Sequence, residues 1–513
     1  MRRTVELPAI KTKPVRRIGV HADHDSYKWW ALSCTSLGML LATINSGTLI
    51  IALPDLERSL HTSLLELVWV ILVYMIASTV LVLSAGRLSD QFGRKQAYIG
   101  GFLVFAVASL GAGFAGNGTQ LILWRILQGI GGSFLFANAA AIVTDAFPRN
   151  QLGLAMGTNT MVAAVGLVIG PVLGGALVAL SWHWVFWFNV PFALGGSLWA
   201  WLVLRELTGR SDDRGFDAIG TFTFLVGLTG LVLGISKGGI SGWNSPLVIG
   251  GLIAAVVLLP AFVVIERHQR APMLDLSIFS NRLFSAAAAA AFINGLARFA
   301  LMFVFVFYFQ GVQGDSPILA GVKLAPLAVG MLVSSPLAGV WADRRGSRLM
   351  AVLGMLTTAS GLALMTTLGR ESSYLASGAF LFIVGIGSGM FNSPNTAAMM
   401  GTVAAHRRGI AAGARVLVQN TGAVISIAFV LAIVTSSVPK HILFAVFSGL
   451  ANHISTAQLD PFISNMHTAL WCLAAVSILG AFVAAARPSH ARSQTEPVTG
   501  DVSPAPSTAR QAA

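Results

Sequence analysis

Three arginines lie within stretches of sequence that are otherwise apolar, and they are the first candidates for chemistry. They are Arg125, Arg298 and Arg415. A charged side chain inside an apolar span is costly, so each is expected to face a cavity or a polar partner. Arg298 and Arg415 could contact an anionic group of a small-molecule substrate, or lie near a helix end and extend their charge to the surface. For Arg125 the structural alternative is a guanidinium held by backbone carbonyl groups.

Two asparagines, Asn45 and Asn294, lie in similarly apolar surroundings. They could donate hydrogen bonds to a substrate or join neighbouring helices, and the sequence favours neither. No carboxylate lies near the middle of any apolar segment; the nearest ones lie near segment ends, at Asp55, Glu57, Glu66, Asp145 and Asp315. A transported proton would therefore be carried by a carboxylate at a segment end, by His183 or by the substrate itself.

A polar, basic loop of ten residues, 86–95, separates two apolar segments, roughly 66–85 and 97–115. Its two glycines predict a sharp turn, and the aspartate between them can pair with basic groups. This pattern predicts a gating latch formed by Gly86, Asp90, Gly93, Arg94 and Lys95 with Asp145. The alternative is a solvated turn that only sets the topology.

A related pattern returns at 339–348 and indicates a duplicated protein. It retains Gly339, Asp343 and Gly346 at the same spacing, but Ser347 stands where the first copy has Arg94. Asp343 is therefore a second gating candidate in a less complete loop.

Glycines recur at every fourth residue of the segment 152–180, at Gly166, Gly170 and Gly174. They share one helix face, and a face of small residues lets helices approach closely in lipid. Pro171 removes a backbone donor and can bend the helix. The pattern predicts a hinge and seal, which is compatible with the alternative of ordinary tight packing.

Composition identifies the elements that must position these residues. The chain has 513 residues, of which 55% are hydrophobic and 10% charged, and its mean hydropathy is +0.75. Soluble proteins are about 25% charged. The sequence therefore predicts an all-α protein that crosses a lipid bilayer many times. The net charge of +13 comes from basic loops, and no nucleic acid is expected as a partner.

Apolar segments of about 20 residues are long enough to span a bilayer. Fourteen are predicted: the two that flank the basic loop, and 29–53, 119–146, 152–180, 184–204, 218–236, 246–265, 284–309, 318–341, 349–368, 374–399, 409–435 and 465–486. They divide the chain into an N-terminal tail (1–28), a six-helix bundle (29–204), a linker with two extra helices (205–283), a second six-helix bundle (284–486) and a disordered tail (487–513).

Basic residues are concentrated in alternate loops, which the positive-inside rule assigns to the cytoplasm. Together with the even number of spans, this predicts that both termini are cytoplasmic. The two cysteines, Cys34 and Cys472, lie in apolar segments, so neither a metal site nor a disulfide framework is expected. No cofactor is expected either. The phosphate-binding loop of ATP-driven proteins does not occur in the sequence, which argues against an ATP-driven process.

Four motifs occur in order along the chain: Gly86-x-Leu88-x-Asp90-x-x-Gly93-Arg94-Lys95, Arg125-x-x-Gln128-Gly129-x-Gly131, Gly166-x-x-x-Gly170-Pro171-x-x-Gly174-Gly175 and Trp182-His183-Trp184-x-Phe186-x-x-Asn189-x-Pro191. With these motifs the chain resembles the major facilitator superfamily, and within it the fourteen-span drug:proton antiporter branch, the EmrB/QacA subfamily. The resemblance covers about residues 30–486. The third motif resembles the signature of the antiporters.

This resemblance implies two six-helix bundles around a midplane cavity, rocking between inward- and outward-open states. It also implies a part for Arg125 in proton coupling. Drug antiporters of this type often have an aspartate in span 1, where alignment on Ala52-Leu53-Pro54 places Asn45 here. We therefore expect a monomeric, non-enzymatic transporter of the cell membrane that exports amphipathic compounds in exchange for protons. The alternatives are a transporter of an anionic metabolite, and a membrane enzyme or receptor, for which no catalytic cluster or sensing domain is evident.

Overall fold

The structure is a computed structural model of the chain. It describes residues 26–148, 151–206, 217–269, 272–403, 408–436 and 456–487, together with Val438, Pro439, Ile442, Leu443 and Val446. The predicted N-terminal tail lies outside the described residues except for positions 26–28. The predicted C-terminal tail lies outside them except for Arg487.

The described residues are almost entirely helical. In chain order the helices are α1 (Tyr27–Leu60), α2 (Leu64–Phe92), α3 (Arg94–Ala112), α4 (Gly118–Ala146), α5 (Leu152–Leu180), α6 (His183–Trp187), α7 (Asn189–Val203), α8 (Ala218–Ser241), α9 (Pro246–His268), α10 (Arg282–Phe307), α11 (Pro317–Arg345), α12 (Ser347–Met365), α13 (Tyr374–Gly401), α14 (Arg408–Thr435) and α15 (Thr456–Ala485). A 3₁₀ turn (Leu276–Ser280) precedes α10, and a π-helical turn (Tyr308–Val312) extends it.

Thirteen of the described helical stretches are long and apolar enough to cross a membrane, with α6 and α7 forming one of them, His183–Val203. α5 is also long, at 29 residues, and its part Ile169–Leu180 is apolar. Every predicted span therefore corresponds to a helix. The last one begins earlier than predicted, at Thr456 rather than near residue 465. Its first turns carry Asp460 and Pro461, and a helical turn that extends beyond the bilayer has no need of apolar residues.

Local sequence explains where the helices begin and end. Ser63 and Glu66 form a capping box that starts α2, because each side chain accepts a hydrogen bond from the other residue's backbone N–H. Gly93 separates α2 from α3 with a φ of 104°, and Gly346 separates α11 from α12 with a φ of 88°. Residues with a side chain rarely adopt such angles. The two copies of the basic loop thus share one backbone turn.

The helices pack as two bundles. In the first, α1 packs against α5, α2 against α4, and α3 against α4 and α7; in the second, α11 packs against α13, α12 against α13 and α15, and α10 against α14 and α15. The bundles meet where α5 contacts α11 and where α2 contacts α14. α8 packs against α9 and also contacts both α2 and α14. The extra helices therefore lie beside one of the two contacts between the bundles.

The outer surface of this assembly is apolar. Large exposed side chains include Val107, Leu198, Ile253 and Val256, the last of which is 75% exposed. An apolar surface of this kind suits hydrocarbon rather than water, in agreement with the predicted membrane spans. The end at which α2 passes into α3 is called the loop end below, and the other is called the opposite end.

Candidate functional site: a charged latch, a buried polar network and a glycine contact

A charged latch closes the loop end of the first bundle. Arg94 donates from Nε to Asp90 Oδ1 at 2.9 Å and from Nη1 to Asp145 Oδ2 at 2.6 Å. One guanidinium at the start of α3 thus joins the end of α2 to the end of α4. The structure brings together three of the four charged residues that the sequence proposed for the latch. Charge-assisted bonds of this kind can be broken and remade as helix ends move.

Glu206, which the sequence analysis did not identify, also belongs to the latch. Its carboxylate accepts hydrogen bonds from the backbone N–H groups of Arg94, at 2.8 Å, and Lys95, at 3.1 Å. It therefore caps the first turn of α3, where its negative charge also interacts favourably with the positive end of the helix dipole. The ammonium group of Lys95 donates to the backbone oxygen of Trp201 at 2.7 Å. The capping of α3 by Glu206 depends on α7 packing against α3, so no local pattern around Glu206 predicts it.

Gly86 and Asp343, the remaining gating candidates, lie within helices. Gly86 lies on α2, and a β-carbon there would meet only the Ala137 side chain, at 3.8 Å, so packing does not require glycine at this position. Asp343 lies on α11 close to its end. The contacts of its side chain lie outside the described residues.

Arg125 is the centre of a polar network inside the first bundle. It is 1% exposed, and its Nε donates to the backbone oxygen of Val70 at 3.0 Å. Its Nη1 donates to Gln128 Oε1, and its guanidinium carbon lies 4.3 Å from the centroid of the Tyr74 ring. These described partners are all neutral. The positive charge is thus held by amide and backbone oxygens and by an aromatic face.

Asn45 joins the same network from α1. Its Oδ1 accepts from Gln128 Nε2 at 3.1 Å and lies 3.5 Å from Arg125 Nη1 and 3.4 Å from Asn189 Nδ2. Gln128 Nε2 also donates to Ser109 Oγ at 2.8 Å. Asn45 is 1% exposed, so in this conformation it links helices. The network joins α1, α2, α3, α4 and α7.

Some polar atoms in this network lack a well-formed hydrogen bond. The buried Asn189 Oδ1 has no described donor, and the Tyr74 hydroxyl lies near the side chains of Asn45 and Ser46 without a bond of good geometry. Buried polar groups are usually paired, and an unpaired one costs about 1–3 kcal/mol. This network can therefore form further hydrogen bonds without breaking the existing ones. Gln128 and Asn189 stood in the motifs of the sequence, but only the fold connects them to Asn45.

The glycines of α5 face α1. A β-carbon on Gly170 would lie 3.1 Å from Gly47 Cα, and one on Gly174 would lie 2.7 Å from Thr48 Cα. At Gly166 the obstacle is the hydroxyl of Thr43, at 2.2 Å. The predicted face of small residues is thus in close contact with a helix of its own bundle.

The neighbouring face of α5 contacts the second bundle. A β-carbon on Gly321 of α11 would lie 2.3 Å from the backbone oxygen of Pro171, and one on Gly175 would lie 2.5 Å from Ile318 Cα. Gln310 also donates to the backbone oxygen of Ile51 at 3.1 Å. All of these contacts lie in the half of the helices nearer the opposite end. The two bundles are therefore joined there backbone to backbone.

The arginines of the second bundle have different surroundings. Arg298 is 8% exposed; it lies 4.4 Å from the Phe299 ring centroid and donates to Met331 Sδ at 3.6 Å. Its Nε has no described partner. Arg415 is half-buried and donates to Gln419 Oε1 at 2.9 Å, and Gln419 in turn donates to Asn392 at 3.0 Å.

Asn294 and Arg487 are two further polar groups buried in the second bundle. Asn294 is fully buried beside Met355, with Nδ2 3.5 Å from Sδ. Arg487, just after α15, is 1% exposed and donates to Asn395 Oδ1. Burial lowers the pKa of Arg487 to about 10, so it stays charged at neutral pH. The sequence analysis did not identify Arg487, because it follows the last apolar segment and reads as part of the tail.

The fold and these sites define a class of protein: a duplicated helical membrane protein of two bundles, each of which encloses buried cations. The sequence pattern of the Major Facilitator Superfamily matches residues 35–427. The chain is 29% identical over 437 residues to the multidrug transporter protein MdtP of Bacillus subtilis (strain 168), covering 84% of this chain and 78% of that protein. It is 29% identical over 395 residues to the tetracenomycin C resistance and export protein of Streptomyces glaucescens, covering 77% and 73%.

A solved structure supports the fold. A bacterial homologue of the human lysosomal transporter Spinster, in an inward-facing and unoccupied conformation, matches with a TM-score of 0.64 at 15% identity, over 90% of this chain and 97% of that one. This chain belongs to the Major Facilitator Superfamily. It is therefore a multi-pass membrane transporter and not an enzyme, as the sequence predicted.

Proposed function

We propose that this protein exports amphipathic drugs or related small molecules through the cell membrane in exchange for protons. The observation that carries the proposal is the architecture: two similar bundles meet backbone to backbone at the opposite end, and at the loop end a charged latch joins helices of the first bundle, one of which, α2, packs against α14 of the second. This arrangement suits alternating access, in which one closure opens as another forms. The names of the two relatives, a multidrug transporter and a resistance and export protein, support drugs as substrates and export as the direction.

Several finer assignments belong to this proposal. The protein is a monomer of the fourteen-span EmrB/QacA type, and the loop end is cytoplasmic, because the basic residues concentrate there. Both termini are then cytoplasmic. The domains are the tails, bundles and linker described from the sequence. The latch acts in gating, with Asp343 as its counterpart in the second bundle, and the Gly166–Gly174 face with Pro171 acts as hinge and seal.

The buried polar groups have separate roles in this proposal. Arg125 takes part in proton coupling through its neutral network, whose unpaired atoms leave room for rearrangement. Asn45, Asn294, Arg298 and Arg415 contribute to the substrate pathway. In the conformation described, Asn45 and Asn294 are fully enclosed by protein, so they would reach a substrate only after a change of state.

The test is transport by purified protein in liposomes. Imposed pH gradients of either sign are combined with cationic, neutral and anionic compounds of matched size. Export of cationic or neutral amphipathic compounds that speeds up with an opposing proton gradient is the expected result. Transport that ignores the gradient contradicts proton exchange. A preference for anions that is lost in Arg298→Ala supports transport of an anionic metabolite instead.

A further inference from the structure

Two carboxyl groups are buried side by side at the loop end, where α8 begins and α9 ends. Asp217 caps α8 and is 6% exposed, and Glu266 in the last turn of α9 is 2% exposed. Asp217 Oδ2 and Glu266 Oε1 lie 2.4 and 2.8 Å from the place that a β-carbon on Gly220 would take. Both oxygens border the same small space, within hydrogen-bonding reach of each other.

Three of the four carboxylate oxygens accept hydrogen bonds from backbone N–H groups. Asp217 Oδ1 accepts from Gly220 at 2.8 Å, Asp217 Oδ2 from Met273 at 3.2 Å, and Glu266 Oε2 from Leu274 at 3.1 Å. The fourth, Glu266 Oε1, is buried and has no described donor. It faces the carboxylate of Asp217, and two ionised carboxylates in such a place repel each other. A single proton between them removes the repulsion and supplies the missing donor.

Among the described residues, neither carboxylate of the pair takes part in a salt bridge. Arg87 of α2 attracts Glu266 electrostatically, and its guanidinium donates to the backbone oxygen of Pro272. Arg267 and His268, which follow Glu266 on α9, are exposed. On the 272–280 segment, Asp275 directs its carboxylate to Ser277. The partial influence of Arg87 is compatible with a proton that can both bind and leave.

The same region is joined to the helix that carries the latch. The hydroxyls of Ser84 and Thr221 are 2.8 Å apart, which links α2 to α8, and the Thr221 hydroxyl donates to the backbone oxygen of Asp217 at 2.7 Å. Ser84 and Arg87 lie one turn apart on α2, and Arg87 belongs to the basic segment 86–95. The pair also holds the backbone of residues 273 and 274. A change in the charge of the Asp217–Glu266 pair therefore acts on α2 and on the segment that leads into the second bundle.

We propose that Asp217 and Glu266 form a proton-binding site that holds one shared proton and links protonation to the position of α2 at the loop end. On release, the O–H bond at Glu266 breaks, the proton passes to water and two carboxylates remain. The repulsion between the two carboxylates pushes them apart and weakens the hydrogen bonds to the backbone N–H groups of residues 273 and 274. The added negative charge attracts Arg87 away from Pro272. The use of this proton in transport rests on the proposed antiport, but its binding does not.

The test is infrared difference spectroscopy of the full-length protein in lipid vesicles. The C=O stretching band of a protonated carboxyl group, identified by its shift in heavy water, is followed from about pH 5 to about pH 9. The expected result is one band that is lost as pH rises. Glu266→Gln removes it, because an amide N–H replaces the proton and leaves Asp217 ionised. Glu371→Gln, at an exposed residue, leaves the band unchanged.

Asp217→Asn provides a second variant if Glu266→Gln does not fold, and it should remove the band in the same way. Identical spectra for the wild type and both variants would overturn the site. The gradient experiment on transport is a separate outcome. A titrating band in a protein whose transport ignores pH gradients keeps the site but excludes its role in antiport. Gradient-driven export without the band places the coupling proton elsewhere and also overturns the site.

Discussion

Pro171 of α5 and Gly321 of α11 touch through their backbones, since a β-carbon on Gly321 would lie 2.3 Å from the Pro171 oxygen. This contact joins the two bundles at the opposite end. It allows no side chain at position 321 in the conformation described, although a conformation in which the bundles separate there has room for one. The contact therefore makes the equilibrium between conformations sensitive to a single methyl group.

Gly321→Ala should shift the protein away from the conformation described. Overpacking typically costs about 1–3 kcal/mol, which corresponds to a change of about 5- to 150-fold in the ratio of the two states. Labels on α5 and α11 near the opposite end should report a larger mean distance, and transport should slow. Gly250→Ala is the matched control, because a β-carbon there meets nothing within 4 Å. An unchanged label distance in Gly321→Ala would contradict this account.

Asp145→Asn should weaken the latch without unfolding the protein. Arg94 retains Asp90, but loses the ionic partner on α4 that lies 2.6 Å away. Partly exposed ion pairs contribute about 0.2–1 kcal/mol, so we expect a change of a few-fold in transport rate at normal expression. Asp90→Asn should act in the same direction, since it removes the other carboxylate. Glu371→Gln serves as the control and should transport like the wild type. A latch role is excluded if Asp145→Asn and Asp90→Asn both do so too.

Arg125→Lys should impair transport although it keeps the charge. A lysine cannot reproduce the planar set of donors that reaches Val70 and Gln128 while stacking on Tyr74. Each buried acceptor left unpaired costs about 1–3 kcal/mol, so transport should fall by at least about tenfold. Arg348→Lys, at an exposed position on α12, should have no effect. Rates are compared per amount of folded protein, and full activity in Arg125→Lys would show that only the charge matters.

Asn45→Asp should create a new titratable group next to Arg125. The amide oxygen of Asn45 already lies 3.5 Å from Arg125 Nη1, so a carboxylate there gains a cationic partner. Transport should acquire an additional titration in its pH profile, beyond any that the wild type has, because the proton-loaded and proton-free forms of the new carboxyl group differ in charge. Asn45→Ser, which is polar but does not titrate, is the control. A pH profile of Asn45→Asp that overlays the wild type would count against a link between this network and protons.

The Asp217–Glu266 pair shows why some functional groups are hidden in the sequence. Each residue stands at the end of a helix, 49 positions apart by their numbers, in polar stretches typical of solvated loops. Only the packing of α8 on α9, with the segment at 273–274 folded over them, removes both from water. The same holds for Glu206, whose role as a cap depends on α7 lying beside α3.

By itself, the sequence determined the membrane spans, the duplicated loop with its glycine turn, and the candidate latch residues Asp90, Arg94 and Asp145. These follow from local rules: apolar segments of bilayer length must be helices, and a φ as positive as that of Gly93 strongly favours glycine. The tertiary structure decided which polar groups share a space. Asn45, Arg125 and Asn189 come from three different helices, and Pro171 meets Gly321 only because two bundles pack together. Such contacts depend on helix orientation and on how closely backbones approach, which are set by the packing of the whole assembly.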